Sequence, residues 1–116
     1  MTESKDKRII SLIINKIDRL IFICSKYSLD EIEEDFIVSD SIQLEFEKMY
    51  EDSTRLSQQL QNDFKNTFDK LRGARNRVAH DYSSVIISIL VDTVKNDLPQ
   101  LKNSLNHCSN CSYLLF

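Results

Sequence analysis

Turn-forming residues are almost absent from this chain, and that shortage restricts its fold more than any other feature. Its 116 residues include one glycine and one proline. β-Sandwiches and barrels need many tight turns, and Gly and Pro supply most of the backbone conformations that those turns require. Hydrophobic residues make up 41% and charged residues 28%, which is typical of a globular chain. The composition therefore predicts an all-α fold.

Apolar residues at three- and four-residue steps predict the first helix, from about Ser4 to Tyr27. Its inner stripe consists of Ile9, Leu12, Ile13, Lys16, Ile17, Leu20, Ile21 and Cys24. Further apolar side chains widen this stripe, namely Ile10, Ile14, Phe22 and Ile23. A helix this apolar has surface for its own core and for a second contact, such as a partner.

The middle of the chain predicts two more helices and a short helical turn. A capping box, Ser28-x-x-Glu31, opens the turn. The second helix is expected to begin near Ser39 or Ser41. Its inner stripe consists of Ile42, Phe46, Met49, Tyr50, Ser53, Leu56 and Leu60. A loop or kink is expected next, at Asn62, Asn66 and Thr67. The third helix carries Phe68, Leu71, Ala74, Arg75, Val78 and Tyr82 along one side.

A fourth helix is predicted from about Ser84 to Leu105. Pro99 should kink it or split off a last segment capped by Asp97, because proline has no N–H to donate. Its apolar positions are Val85, Ile86, Ile89, Leu90, Val94, Leu98, Leu101 and Leu105. Four helices with short connections favour an up-and-down bundle. We expect residues 1–106 to form a single domain and residues 107–116 to form a C-terminal tail.

Charge is distributed unevenly. The net charge of −3 excludes nucleic-acid binding through overall positive charge. Residues 30–52 hold ten acidic residues and one base, whereas residues 65–77 hold five bases and one acid. One local surface can therefore be basic on an acidic protein.

The N-terminus is charged, and no apolar run reaches the roughly 18 residues that a membrane span needs. Three cysteines do not suggest a disulfide framework, so a reduced, cytoplasmic protein with no membrane contact is expected. The cluster of His107, Cys108 and Cys111 offers three local ligands, whereas zinc takes four. Cys24 is predicted to lie on a packed helix face, so neither a metal site nor another cofactor is expected.

The segment from Arg72 to Tyr82, R-G-A-R-N-R-V-A-H-D-Y, concentrates groups that suit RNA cleavage without a metal. An imidazole can take a proton from a ribose 2′-hydroxyl or give one to the leaving oxygen. A guanidinium can hold the phosphate and stabilise the charge that develops on it. Such residues also occur in helices merely as caps, ion pairs or solvated groups, so their spacing alone leaves a structural role open.

Helical geometry restricts how the two key groups can meet. Arg75 and His80 are five residues apart, which places them well over a right angle apart around one helix. One isolated helix cannot easily direct both side chains at the same atom. Two copies of the segment packed about a two-fold axis can bring them together.

The string from Arg75 to Tyr82 resembles the R-x4-H signature of HEPN ribonucleases, in the R-N-x-x-x-H-x-Y form of HepT-like toxins. The resemblance extends upstream to Met49-Tyr50-Glu51 and Leu56-Ser57, and downstream to residues 91–101. It covers about residues 8–105.

This resemblance implies a HEPN-type bundle of four to five helices that forms a homodimer. It makes Arg75 and His80 the catalytic pair, with Asn76 in support. The basic side chains around them, Lys70, Arg72 and Arg77, are expected to contact the RNA. It also implies a toxin of a two-gene toxin–antitoxin module whose partner is a minimal nucleotidyltransferase of the MntA kind. Tyr82 matches the tyrosine that such antitoxins modify with AMP, and the added negative charge would repel RNA phosphate.

Two alternatives remain at this point. The first is a catalytically inactive HEPN dimer that binds nucleotide or scaffolds a nucleotidyltransferase. The intact pair of Arg75 and His80 favours the enzyme, since a scaffold needs neither. The second is a structural helical protein with a chance match to the signature, and the matching flanks argue against it.

Overall fold

The computed structural model describes residues 2–66, 68–70, 72–73 and 84–112, with side chains described over 5–66, 68–70, 72–73 and 87–107. The chain is an all-α helical bundle, as the composition predicts. Its helices are α1 (Thr2–Lys26), α2 (Leu29–Glu34), α3 (Phe36–Thr54), α4 (Gln58–Asp63), α5 (Ser84–Asn96) and α6 (Leu98–Ser112). The described residues between 65 and 73 are helical as well.

Helix α1 lies at the centre of the bundle and packs against α3, α5 and α6. It runs antiparallel to α3, since Asp6 near its start contacts Ser57 and Arg19 near its end contacts Glu45. Its buried side chains are Ile9, Ile10, Ile13, Ile17, Leu20 and Cys24. The predicted bounds agree with the observed helix to within two residues at the start and one at the end. Leu12 differs from its prediction, because it is exposed.

Local capping fixes the short connections between α1 and α3. The hydroxyl of Ser28 accepts from the backbone N–H of Glu31, and the Glu31 carboxylate accepts from the backbone N–H of Ser28. This confirms the predicted capping box. The hydrogen bond from the Ser28 backbone, followed by that from its hydroxyl, lowers the pKa of the Glu31 carboxyl. Asp35 then caps α3 by accepting from the N–H groups of Ile37 and Val38.

A largely buried ion pair joins α1 to α3. Nζ of Lys16 donates to Oδ2 of Asp52 at 2.7 Å, and only 15% and 11% of the two side chains remain exposed. The other carboxylate oxygen of Asp52 lies 3.6 Å from the Arg55 guanidinium. Lys16 therefore belongs to the inner stripe, as predicted, because its charge is neutralised there.

The predicted second helix is wrong at both ends. It begins at Phe36 rather than near Ser39 or Ser41, since Asp35 supplies the cap and Phe36 and Ile37 lie exposed outside the apolar stripe. It also stops at Thr54 instead of continuing to Leu60. A separate helix, α4, follows and buries Leu60.

The predicted fourth helix splits, as its proline suggests. Helix α5 ends at Asn96, a turn occupies Asp97, and α6 begins at Leu98 with Pro99 as its second residue. The core side chains of this region are Ile87, Leu90, Val91, Val94, Leu98, Leu101 and Leu105. Helix α6 continues to Ser112, through the domain boundary predicted after residue 106, and that boundary stays a prediction.

We predict that Asp52→Asn lowers the free energy of unfolding by about 3 kcal/mol, because it leaves the Lys16 ammonium largely buried without a counter-charge. Lys102→Gln is the matched control. It breaks the exposed pair of Lys102 and Asp18 and should cost at most about 1 kcal/mol. Urea unfolding followed by circular dichroism measures both. Equal losses in the two variants would contradict the role given to Asp52.

Candidate functional site

The structure describes two of the seven predicted site residues. Five of them lie outside the described residues, namely Arg75, Asn76, Arg77, His80 and Tyr82. The other two, Lys70 and Arg72, are helical and exposed. What the structure describes is therefore the surface that leads into the signature segment.

A polar cleft of about 330 Å³ lies on that surface. It is bounded by the end of α3, by α4 and by the helical residues between 65 and 73. Its polar lining includes Tyr50, Gln58, Gln61, Asn62, Lys65 and Arg72. Arg72, three positions before Arg75 in the sequence, is the last of its described lining residues.

The corner between α3 and α4 shapes this cleft. Nε2 of Gln61 donates to the carbonyl oxygens of Thr54 and Leu56, at 3.2 and 2.7 Å. The backbone N–H of Ser57 donates to Oδ1 of Asp6 at 2.8 Å, which ties the corner to the start of α1. Asp6 is almost fully buried there. These bonds satisfy backbone groups that would otherwise be left unpaired where the helix stops.

The two cations of the cleft have different surroundings. The guanidinium of Arg72 pairs with Asp69 at 3.4 Å, and both side chains remain about half exposed. Lys65 is exposed and makes no ion pair with any residue that the structure describes. Among the described lining residues, these two bases face one acid, Asp69. Their arrangement can hold a single anionic group.

No group of three or more His, Cys, Asp or Glu side chains that could hold a metal ion occurs among the residues whose side chains the structure describes. These include Cys24 and His107, whereas the side chains of Cys108 and Cys111 lie outside them. Cys24 is buried between α1 and α5, as predicted from its helix face. Burial raises the pKa of its thiol, although the nearby Lys95 acts in the opposite direction. A buried thiol held in its neutral form is a poor ligand and a poor nucleophile. His107 lies exposed on α6.

A second hollow lies between α1 and α3, beside the exposed ring of Phe22. Arg19 reaches Oε1 of Glu45 there at 3.5 Å. Oε2 of Glu45 is buried without a hydrogen-bond partner in the described structure. This hollow carries the apolar surface that the wide stripe of α1 predicts, and it lies apart from the signature segment in the sequence.

A family comparison decides what kind of protein this is. The sequence model of a family described as Ribonuclease HepT-like matches residues 12–108. The chain belongs to this family. The match includes the whole segment from Arg72 to Tyr82, and it confirms the resemblance to HEPN ribonucleases. No solved structure matches the chain.

Membership in the HepT-like ribonuclease family supports ribonuclease activity in general and agrees with a HEPN-type helical bundle. None of the described helices of this HepT-like protein is long and apolar enough to cross a membrane. The roles of individual residues, the dimer and the antitoxin stay predictions.

Sequence reasoning missed most of the cleft. Tyr50, expected on the inner stripe of α3, does pack partly buried against the core, but it also lines the cleft. Asn62, expected to mark a loop or kink, lies in α4, and the break comes directly after it, where α4 ends at Asp63 and Phe64 forms a turn. The available signal was Ser57, a residue type that favours helix N-caps, and its hydroxyl does accept from the N–H of Leu60.

Proposed function

We propose that this HepT-like protein is a metal-independent endoribonuclease in which Arg75 and His80 act on an RNA phosphodiester. The observation that carries the proposal is the family match over residues 12–108, because that range contains the complete R-x4-H segment. The cationic edge of the cleft at Arg72 supports it, since RNA phosphate would reach that side chain next to Arg75.

The proposed reaction uses the RNA's own nucleophile. His80 takes the proton from a ribose 2′-hydroxyl, and the 2′-oxygen attacks the adjacent phosphorus. The bond from phosphorus to the 5′-oxygen breaks, and that oxygen receives a proton from an imidazolium. The products are a 2′,3′-cyclic phosphate and a 5′-hydroxyl end. Arg75 stabilises the charge that builds on the phosphate oxygens, and Asn76 holds the reacting groups in place.

The proposed active unit is a homodimer. Arg75 and His80 cannot easily converge from one helix, so a two-fold axis that pairs two signature segments would supply both groups to one phosphate. Lys70, Arg72 and Arg77 are proposed to bind the flanking RNA. Because cellular RNA is the substrate, we place the protein in the cytoplasm.

The proposed regulation is part of a toxin–antitoxin module. A minimal nucleotidyltransferase of the MntA kind would transfer AMP from ATP to the phenolic oxygen of Tyr82 and release pyrophosphate. Tyr82 lies two residues after His80, so the added phosphate would bring negative charge close to the position of the RNA phosphate.

The purified protein should cleave single-stranded RNA in the presence of EDTA. His80→Ala should lower the cleavage rate by about 10²- to 10⁴-fold, the usual contribution of a general acid or base. His107→Ala is the matched control, because it removes the other histidine, at the far end of the chain. Gel analysis of labelled RNA measures the rates, and circular dichroism checks the fold.

Two results would contradict the catalytic proposal. One is a wild-type protein that is inert on diverse RNAs. The other is His80→Ala cleaving as fast as His107→Ala. The first would favour the alternative of an inactive HEPN dimer that binds nucleotide or scaffolds a nucleotidyltransferase.

Co-expression with a nucleotidyltransferase encoded beside it should add one adenylate to the protein. Tyr82→Phe should stay unmodified, while Tyr27→Phe, a change at the end of α1, should be modified like wild type. Intact-mass spectrometry reads out all three. An unchanged wild-type mass, or modification of Tyr82→Phe, would remove the proposed regulation.

A further inference from the structure

The cleft beside Arg72 has the size and composition of a small ligand site. Its volume of about 330 Å³ falls at the lower end of the range of roughly 300–1,000 Å³ that such sites occupy. Its lining combines side-chain amides, aromatic rings and two cations. Few small biological ligands use all three kinds of group, and a nucleotide is one that does.

Three side-chain amides line the cleft, and that of Gln61 is already bonded to the end of α3. The other two come from residues one helical turn apart on α4. Nε2 of Gln58 donates to Oδ1 of Asn62 at 3.0 Å. This bond leaves the Gln58 oxygen and the Asn62 nitrogen without partners among the described residues. If the oxygen and nitrogen positions of both amides were interchanged, Asn62 would donate to Gln58 instead. One donor and one acceptor would still remain without partners. A donor beside an acceptor matches the edge of an unpaired nucleobase.

The aromatic groups form the apolar part of the lining. Tyr50 is half buried at the end of α3, with its side chain on the cleft. Phe68 is only 8% exposed and packs at a tilt against Phe64, with the ring centroids 5.9 Å apart, so it offers little of its ring to a ligand. Tyr50 is therefore the ring that can lie against a base, and aromatic side chains bind bases of any identity through their faces.

The charges of the cleft suit one phosphate. Lys65 and Arg72 both line the cleft, seven positions apart in the sequence. With Asp69 included, the described lining carries a net charge of +1. The cleft therefore suits a single nucleotide better than a long run of phosphates.

Chain geometry keeps Arg75, one of the proposed catalytic residues, near this cleft. Arg72 and Arg75 are three positions apart in the sequence, so their Cα atoms can be at most about 11 Å apart whatever the backbone does between them. We propose that the cleft binds one nucleotide of a single-stranded RNA substrate, next to the phosphodiester on which Arg75 and His80 act. This inference rests on the proposed function and names a binding subsite for its substrate.

The test measures binding separately from cleavage. A fluorescein-labelled single-stranded RNA of about ten nucleotides is titrated with His80→Ala protein, and fluorescence anisotropy gives Kd at several salt concentrations. Lys65→Gln is added to this background. We expect Kd to rise about ten-fold, as for the loss of one charge-assisted hydrogen bond. The slope of log Kd against log salt should fall by about 0.7, as for one lost phosphate contact on a single strand.

Asn62→Ala in the same background should weaken binding without changing the salt slope. It should also narrow the differences in Kd between RNAs of different base composition. The controls are Gln59→Ala, an exposed amide on α4 that does not line the cleft, and Lys95→Gln, an exposed lysine on α5. Both should bind like the parent. The side chains of Gln59, Asn62, Lys65 and Lys95 are all exposed, and thermal unfolding confirms that the variants fold.

Two results would overturn the subsite. In the first, Lys65→Gln keeps the Kd and salt slope of the controls. In the second, Lys65→Gln loses binding of free AMP but keeps its affinity for RNA, which would make the cleft a mononucleotide site. Either result would overturn the subsite without bearing on the catalytic role of His80, which the cleavage assay tests. Conversely, an inert wild-type enzyme would overturn the catalytic proposal without bearing on the measured RNA affinities.

Discussion

Burial of one face of α1 is the constraint on which the rest of the described structure depends. This face supplies core side chains to the contacts of α1 with α3, α5 and α6. A stripe this wide would be costly to leave in water. The stripe also contains a charged residue, Lys16, whose ammonium group is largely buried. The Lys16 ammonium is tolerated there because Asp52 meets it at 2.7 Å.

The same packing sets the position of the candidate site. Asp6, on the first turns of α1, accepts from the backbone of Ser57 and so fixes where the chain turns after α3. Gln61 then ties α4 to the carbonyl groups at the end of α3. The cleft opens in the angle that results, and Arg72 is among its lining residues. The surface beside the signature segment is therefore built by contacts between residues far apart in the sequence.

This explains which features the sequence predicts. Local signals were sufficient for α1, whose apolar period runs from Ile9 to Cys24 with Lys16 as its one charged position, for the capping box at Ser28, and for the break before Pro99. The start of α3 was missed because Phe36 and Ile37 are apolar residues that remain exposed. The break after Thr54 was missed because one of its stabilising bonds comes from Asp6, 51 residues earlier. Helical period carries no information about such a contact.

The candidate site divides in the same way. The sequence predicts its chemistry, since Arg75 and His80 stand out by residue type and spacing; the family match covers both residues, and their roles stay a proposal. The cleft could not be predicted from the sequence, because Tyr50, Asn62 and Lys65 lie on different elements and have no motif in common. Their proximity depends on the corner between α3 and α4.

The central proposal is that two copies of the chain supply Arg75 and His80 to one phosphodiester. The most direct measurement mixes two variants, Arg75→Ala and His80→Ala, carrying different affinity tags, and isolates the heterodimer that holds both. Each homodimer lacks one of the two groups entirely, whereas the heterodimer holds one guanidinium and one imidazole on different chains. The account predicts that both homodimers are nearly inert and that the heterodimer cleaves RNA. An inert heterodimer that is folded and contains both chains would contradict it.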